Sequence, residues 1–250
     1  MTADFTITVS PDFSPDHIAG WYIFNTWLQR KLDASIHLQL FDDFESQRAA
    51  IAADRIDIIY ANPFDAAMLV REKGFDAVAR PHGKVDEAVI AVSTESAAHG
   101  VEDFQPGLRV ARTDDPDVNM MGMIMLEPAD LHRENVTQQQ AGNYVLVAKA
   151  LLRGEADAGF FLKEAYDDLS RIIREQLRVL ITSQIGVIQH CMLAGPRAAE
   201  LREPMIAAML EMVDDAKGKG VLEAMGLQGW DRLDHEDTEF MIDLMDTLVS

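Results

Sequence analysis

The residues of this sequence that could do chemistry are acidic pairs, histidines and one cysteine, and they form no recognisable catalytic set. Asp114-Asp115 follows a predicted strand, where a site can form, but Asp-Asp-Pro is also common turn chemistry. Asp167-Asp168 lies on a predicted helix with a solvated polar face, which disfavours general acid–base work. The seven histidines show no metal-ligand spacing. We therefore expect no catalytic residue, no metal and no cofactor.

His190 and Cys191 are adjacent, so their side chains would point to opposite faces of a strand. The apolar setting of Cys191, VIQHCMLAG, indicates a buried and inert thiol rather than a nucleophile. No phosphate loop, dinucleotide-binding glycine pattern, nucleophile elbow or zinc-protease motif occurs in the sequence.

Polar and aromatic residues gather where predicted strands end and helices begin. Four stretches share this pattern: SPDFSPD, YANPFD, RTDDPDVN and QQQAGNY. In open α/β sheets, ligands bind at the carboxyl ends of strands, near helix N-termini with free N–H groups. Asn62 and Asn143 are suitable N-caps, which need no ligand. Tyr60, however, adds a ring and a hydroxyl that a cap does not require.

Composition excludes some classes of partner. The 250 residues are 48% hydrophobic and 26% charged, so the chain can bury a sizeable core. The net charge of -20 repels phosphate backbones, so we expect no nucleic acid partner, and solubility explains the charge most simply. No apolar run reaches transmembrane length, which predicts no membrane insertion. No signal peptide precedes the strand FTITVS, so the protein is expected to be cytoplasmic if the sequence is complete as written, and periplasmic if an export signal preceded it.

Strand-like and helix-like segments alternate along the whole chain. FTITVS alternates with period two and IDIIYA is apolar and β-branched, so both are predicted strands, and each is followed by a predicted helix, such as PFDAAMLVREKG after IDIIYA. This alternation predicts an α/β fold, with a parallel sheet covered by helices on both faces. The last part of the chain, including ELREPMIAAMLEMVDDAK, is predicted to be helical.

Two segments resemble a known family. ADRIDIIYANPFDAAMLVREKGFDAVARP resembles the segment of phosphate/phosphite/phosphonate-binding proteins of ABC transporters in which a strand reading iDi meets a GP-x-x-Y loop. NYVLVAKALLRGEADAGFFLKEAYDDL resembles the helix–strand unit a-v-x-A-V-x-x-G-x-a-D-a-G of the same family. The matches lie in the family's order, and the resemblance covers most of the chain, most weakly at the helical C-terminus.

The resemblance implies a two-lobed class II periplasmic-binding-protein fold with a ligand cleft between the lobes. Together with the pattern of elements, it places lobe one at about residues 1–87 plus 195–250 and lobe two at about residues 88–194. The hinge strands would lie near DEAVIAV and VIQHCML. The implied function is that of a solute-binding protein that closes around a small molecule, with an ABC permease or a signalling protein as a possible partner.

One loop departs from the family. Where the phosphonate binders have a hydroxyl-rich S-T-S-G loop, this chain has DDPDVNMMGM, and Asn143 replaces a family histidine. Carboxylates beside a phosphonate repel it, so we expect a neutral or cationic ligand, or an anion reached by Arg80 or Arg112. The residues expected to bind the ligand are Phe13, Ser14, Tyr60, Ala61 and Asn62 in lobe one, and Arg112, Thr113, Asn119, Gln140, Asn143 and Tyr144 in lobe two.

Two alternatives remain open at this point. Some cytosolic enzymes that make menaquinone precursors or the thiamine pyrimidine use the same fold, but the sequence lacks a His-Cys-acid set in the corresponding loops. The chain could also be a sensor domain whose closure passes a signal to a partner.

Overall fold

The computed structural model describes residues 4–12 and 15–249. The strands are β1 (Phe5–Val9), β2 (Ile36–Leu38), β3 (Ile58–Ala61), β4 (Asp76–Pro81), β5 (Ala88–Ser93), β6 (Arg109–Arg112), β7 (Thr137–Gln140), β8 (Ala158–Leu162), β9 (Leu177–Thr182), β10 (Cys191–Ala194) and β11 (Trp230–Arg232). The helices are α1 (Ile18–Leu32), α2 (Phe44–Ala52), α3 (Pro63–Lys73), α4 (Pro116–Leu126), α5 (Tyr144–Leu152), α6 (Lys163–Asp167), α7 (Arg171–Arg174), α8 (Arg202–Leu210), α9 (Ala216–Ala224) and α10 (His235–Val249).

The chain divides into two compact units. Unit 1 comprises Met1–Lys84 with Gln189–Met245, and unit 2 comprises Val85–Ile188 with Asp246–Ser250. Each unit contains one sheet, and the predicted α/β class is confirmed.

The sheet of unit 1 has the strand order β11-β4-β10-β3-β1-β2. Strands β2 and β3 pair with β1 in parallel, whereas β10 runs antiparallel to both of its neighbours, β3 and β4. The prediction of a parallel sheet is therefore wrong in part, because β10 enters the sheet from unit 2 without the crossover helix that sets neighbouring strands parallel.

Helices cover both faces of this sheet, as predicted. In β3, Ile58 and Tyr60 belong to the core cluster that includes helix α1, while Ile59 and Ala61 belong to a second cluster that includes helix α3. Neighbouring side chains of β10 alternate in the same way, which is the period-two pattern of a strand buried on both faces.

The sheet of unit 2 has the strand order β7-β6-β8-β5-β9. Strands β7 and β8 pair with β6 in parallel, and β5 runs antiparallel to β8 and β9. Helix α4 lies close to β8, since a Cβ on Gly122 would lie 2.7 Å from Cγ of Phe160. Glycine at this position permits the close contact of helix and sheet.

A buried carboxylate joins the two chain segments of unit 2 that lead from and to unit 1. Glu87 accepts hydrogen bonds from the Ser183 hydroxyl, from the Ile185 N–H at 3.2 Å and from the Gly186 N–H at 2.8 Å. The Ser183 hydroxyl in turn accepts from the Ala88 N–H at 2.8 Å. These bonds fix the segment before β5 against the segment after β9.

The predicted C-terminal helix is interrupted. Helix α8 ends at Leu210, and α9 begins after Asp215, whose side chain accepts hydrogen bonds from the N–H groups of Lys217 and Gly218. Helix α9 packs against α1 so closely that a Cβ on Gly20 would lie 2.8 Å from the backbone nitrogen of Met225. Gly20 belongs to α1. In α9, by contrast, Gly220 has open space where a Cβ would lie.

These two glycines predict opposite effects of the same substitution. We expect Gly20→Ala to lower the free energy of unfolding by about 1–3 kcal/mol, because the added methyl group overpacks the α1–α9 contact. Gly220→Ala should raise the free energy of unfolding by about 0.5–1 kcal/mol, because alanine favours a helix and meets no neighbour. Urea unfolding followed by tryptophan emission measures both, since Trp21, Trp27 and Trp230 all lie in unit 1. Effects of the same sign would contradict this account of the packing.

Candidate functional site

Asn62 organises the junction between β3 and α3. Its side-chain oxygen accepts a hydrogen bond from the Asp65 N–H at 2.8 Å, which caps the helix. Its amide nitrogen donates to the Ser10 hydroxyl at 3.2 Å and to the Asp65 carboxylate at 2.9 Å. The side chain is fully buried. Because Asn62 follows β3 and bonds Ser10, which follows β1, it positions the ends of these two strands relative to each other.

An ion pair supports the same junction from α2. The Arg48 guanidinium lies 2.6 Å (Nε to Oδ1) from the buried carboxylate of Asp65, and its second bond joins Nη2 to Oδ2 at 3.2 Å. The guanidinium also lies 5.2 Å from the ring centroids of Phe44 and Phe64. This two-point contact between a planar cation and a carboxylate fixes α2 against α3.

Tyr60 lies in an aromatic cluster of unit 1. Its ring is 4.9 Å from that of Trp21, 5.2 Å from that of His190 and 6.0 Å from that of Trp230, as measured between centroids. The stacked arrangement with His190 places an imidazole beside the tyrosine at the end of β3. Ala61 is buried in the core and pairs with Cys191, so it offers backbone rather than side-chain contacts.

The sequence reasoning missed a buried histidine–carboxylate pair at the same end of the sheet. His190 Nε2 lies 3.1 Å from each carboxylate oxygen of Asp12, and their side chains are 10% and 3% exposed. Burial alone would raise the pKa of Asp12, but the imidazole of His190 and a hydrogen bond from Ser10 together hold this pKa below its usual value. The pair therefore keeps a carboxylate charge close to Tyr60.

A signal for this pair existed only in the strand order. Asp12 follows β1, and His190 precedes β10, which lies next to β3 and runs antiparallel to it. The start of β10 thus lies at the same edge of the sheet as the ends of β1 and β3. Once the antiparallel pairing of β10 is known, the two residues are expected to meet.

In unit 2, the chain's own carboxylate occupies the N-terminus of α4. Asp115 accepts hydrogen bonds from the N–H groups of Asp117 at 3.1 Å and Val118 at 3.2 Å. Its second oxygen accepts from the Tyr144 hydroxyl at 2.7 Å, which links α4 to the start of α5. The helix N–H groups that would attract an anionic ligand are therefore already engaged by Asp115.

Arg112 and Thr113 lie immediately before this N-terminus. The Arg112 guanidinium donates from Nε to the Gln138 side-chain oxygen at 2.5 Å and from Nη1 to the Thr113 carbonyl at 2.8 Å. Burial lowers the pKa of Arg112 from its usual value, and the nearby charge of Arg133 lowers it further. The Thr113 carbonyl also accepts from the Asn119 side chain at 3.0 Å.

The other predicted site residues have different settings. Asn143 caps α5 by accepting a hydrogen bond from the Leu146 N–H at 2.9 Å, and it is exposed. Gln140 is exposed at the end of β7, and Arg80 lies on β4 in unit 1. Phe13 and Ser14 lie outside the described residues. The structure thus brings Arg112, Thr113 and Asn119 together by direct hydrogen bonds. Tyr144 is linked to them through Asp115, whose backbone N–H donates to the Thr113 hydroxyl at 3.4 Å.

Metal sites and membrane-spanning helices are absent from the described part of the chain. Within residues 4–12 and 15–249, no group of three or more His, Cys, Asp or Glu side chains is placed to hold a metal ion. None of the helices in these ranges combines the length and the apolar character needed to cross a membrane.

Two α/β units, each built on a mixed sheet with polar residues at the strand ends, are the architecture of the solute-binding proteins. The profile of one family in this class, "ABC transporter, phosphonate, periplasmic substrate-binding protein", matches residues 7–238. The chain belongs to this family. It is a solute-binding protein of the kind that serves as the substrate-binding component of an ABC transporter.

Solved structures share its fold at low sequence identity. PhnD1 from Prochlorococcus marinus, in complex with methylphosphonate, superimposes with a TM-score of 0.82 at 11% identity, and the match covers 98% of both chains. A binding protein component of an ABC phosphonate transporter from Pseudomonas aeruginosa gives 0.78 at 13% identity over 97% of this chain and 86% of that chain. A Xanthomonas citri protein bound to ATP gives 0.79 at 12% identity over 98% of both chains. No curated protein matches the sequence significantly.

These comparisons confirm the predicted family, the two-lobed periplasmic-binding-protein fold and the solute-binding function. They give no support to the enzyme or the signalling alternative. The predicted lobe boundaries and the predicted ligand-binding residues stay predictions.

The Asp12–His190 pair predicts a pH-dependent stability. Because the pKa of Asp12 is depressed in the folded state, its contribution to stability is present above the ordinary value of 3.8 and is lost as the pH falls through the lower folded value. We expect Asp12→Asn to lower the free energy of unfolding at pH 7 by about 1–3 kcal/mol and to flatten its decrease below pH 4. Urea unfolding between pH 7 and pH 3 measures both effects.

A surface pair of the same chemistry provides the control. His82 and Asp231 lie 2.9 Å apart in unit 1, with side chains that are 60% and 41% exposed. Asp231→Asn should change the free energy of unfolding by less than about 0.5 kcal/mol, because water screens an exposed pair. Equal losses in the two variants would show that the buried pair has no special role.

Proposed function

We propose that the solute bound by this protein presents a hydrogen-bond donor, neutral or cationic, to the N-terminus of α4, where a phosphonate would be repelled. The observation that carries this proposal is the position of Asp115, whose carboxylate accepts the N–H bonds of Asp117 and Val118. An incoming anion would have to displace this carboxylate and would then lie beside its charge. Such a contact costs on the order of a kcal/mol or more when the groups are partly desolvated.

Aromatic and polar groups in each unit support solute binding. In unit 1, Tyr60 and the Asp12–His190 pair place two stacked rings and a carboxylate where β1 and β3 end, with side chains at most 10% exposed. In unit 2, Tyr144 adds a second ring at the start of α5, with its hydroxyl on Asp115. A flat or alkyl-bearing solute with an amine or hydroxyl suits such groups better than a compact anion.

Arg112 is the donor we assign to any acidic group on the solute. Its Nε and Nη1 atoms donate to the Gln138 side chain and the Thr113 carbonyl. The Nη2 hydrogens of the same guanidinium are the ones we assign to the solute. A solute that carries both an amine and an acid could therefore use Asp115 and Arg112 separately. We also propose that one particular ABC permease receives the solute from this protein. The family defines only this kind of partner.

A thermal-shift panel tests the ligand class. The panel contains phosphonates, sulfonates, amines and nucleoside-like compounds, and ligand at a hundredfold excess over Kd should stabilise the protein by roughly 2.7 kcal/mol. We expect amines, zwitterions or neutral polar compounds to raise the melting temperature more than methylphosphonate does. A shift with phosphonates alone would contradict the proposed ligand class but not the solute-binding function, and no shift with any class would put that function in doubt.

Substitutions test the site for the best compound of that panel. Tyr60→Ala should abolish the shift while the far-UV circular dichroism spectrum remains that of the folded protein, and Tyr60→Phe separates the hydroxyl from the ring. Asp115→Asn keeps the helix cap and removes the charge, so the affinity for a cationic compound should fall about tenfold or more.

Asp43 supplies the matched control for Asp115. It caps α2 by accepting a hydrogen bond from the Ser46 N–H, and it is exposed. Asp43→Asn should leave the affinity unchanged. Unchanged binding in both Asp115→Asn and Tyr60→Ala would remove these residues from the site.

A further inference from the structure

A groove runs over the surface of unit 1 between α1 and α9. Its volume is about 770 Å³, and its lining residues come from these two helices and the turn before α9. The close contact at Gly20 holds one end of the helix pair together, near Ala224. The groove lies toward the other end, where α1 finishes and α9 begins.

The floor and sides of the groove are largely apolar. Trp27 and Val221 line it from the core side and are almost fully buried. Tyr22 is 53% and Ile23 is 48% exposed along one side. Gly220 adds depth, because it presents no side chain and has no neighbour that a Cβ would meet. Glycine inside a helix is unfavourable, and packing does not require it at this position.

The polar residues of the groove are mainly cationic. Arg30, Lys31 and Lys217 line it, in a chain whose net charge is -20. Lys31 Nζ lies 5.5 Å from the centroid of the Trp27 ring. In the described part of the chain, none of these three cations forms a salt bridge with a carboxylate within 4.0 Å. Three cationic side chains without a salt-bridge partner within 4.0 Å thus line one surface groove.

Asp215 is the acidic residue among those that line the groove, and no salt bridge joins it to Arg30, Lys31 or Lys217 within the described residues. Its carboxylate accepts hydrogen bonds from the N–H groups of Lys217 and Gly218. These bonds lower the pKa of Asp215, with the Lys217 N–H as the largest lowering cause and the charge of Lys31 as a smaller one. The carboxylate serves mainly as the N-cap of α9.

We propose that this groove is a second binding site, which takes a small amphipathic anion. The apolar body of the ligand would lie against Trp27 and Val221 in the space above Gly220, and its acidic head would lie between Arg30 and Lys217. The volume is that of ordinary small-molecule sites. A concave groove favours one free molecule over the flat surface of an anionic bilayer. The groove shares no lining residue with the proposed solute site.

Titration with decanoate, below its micelle concentration, tests the proposal. We expect saturable 1:1 binding by calorimetry together with a change in tryptophan emission that Trp27→Phe reduces. Decanol and decyltrimethylammonium should bind at least about tenfold more weakly, because they lack the acidic head. Gly220→Leu should abolish binding by filling the floor of the groove, and its circular dichroism spectrum establishes that the variant folds.

Two lysines of α9 supply a matched pair of variants. Lys217 lines the groove, whereas Lys219 is exposed on the same helix and does not line it. Lys217→Gln should weaken decanoate binding about tenfold, and Lys219→Gln should leave it unchanged. Tyr60→Ala should also leave it unchanged, which separates this site from the solute site.

Several results would overturn the proposal. These are the absence of saturable binding, equal losses in the two lysine variants, and equal affinity for decanoate and decanol. Binding to phosphatidylglycerol vesicles that depends on Lys217, without binding of free decanoate, would also overturn it in favour of a membrane contact.

Discussion

Unit 1 depends on a strand that the chain supplies only after most of unit 2. Strand β10 lies between β3 and β4, and its four residues, Cys191–Ala194, are buried. Without β10, β3 and β4 have no neighbour in common, and the core clusters on both faces of the sheet lose side chains from their centre. Because β4 ends at Pro81 and β10 begins at Cys191, the sheet is completed by pairing across a long stretch of chain.

The same pairing assembles the polar and aromatic groups of unit 1. An antiparallel β10 starts at the edge where β1 and β3 end, so His190 meets Tyr60 and Asp12 there. Around them, the bonds of Asn62 and Asp65 hold the loops that follow β1 and β3. The Tyr60 ring is therefore held within the sheet, and the Asp12 carboxylate is held against it by the bond to His190, which directly precedes β10.

Local signals in the sequence predicted much of this architecture, and long-range pairings limited the prediction. Asn62 before Pro63 correctly indicated a capped helix, as did Asn143 at α5, because capping depends on a few neighbouring residues. Alternation at FTITVS and the apolar, β-branched run at IDIIYA also identified the strands β1 and β3. The antiparallel insertion of β10, the Asp12–His190 pair and the contact at Gly20 depend on residues more than a hundred positions apart, for which no local pattern exists.

The one cysteine of the chain lies in a central strand of unit 1, so its thiol becomes accessible to a reagent only when that strand leaves the sheet. Cys191 is the chain's one thiol and is fully buried in β10. A thiol reagent can therefore react only with molecules in which unit 1 has opened, and the labelling rate reports the free energy of that opening. The wild-type chain thus carries its own internal probe of local unfolding, at the strand on which the unit depends.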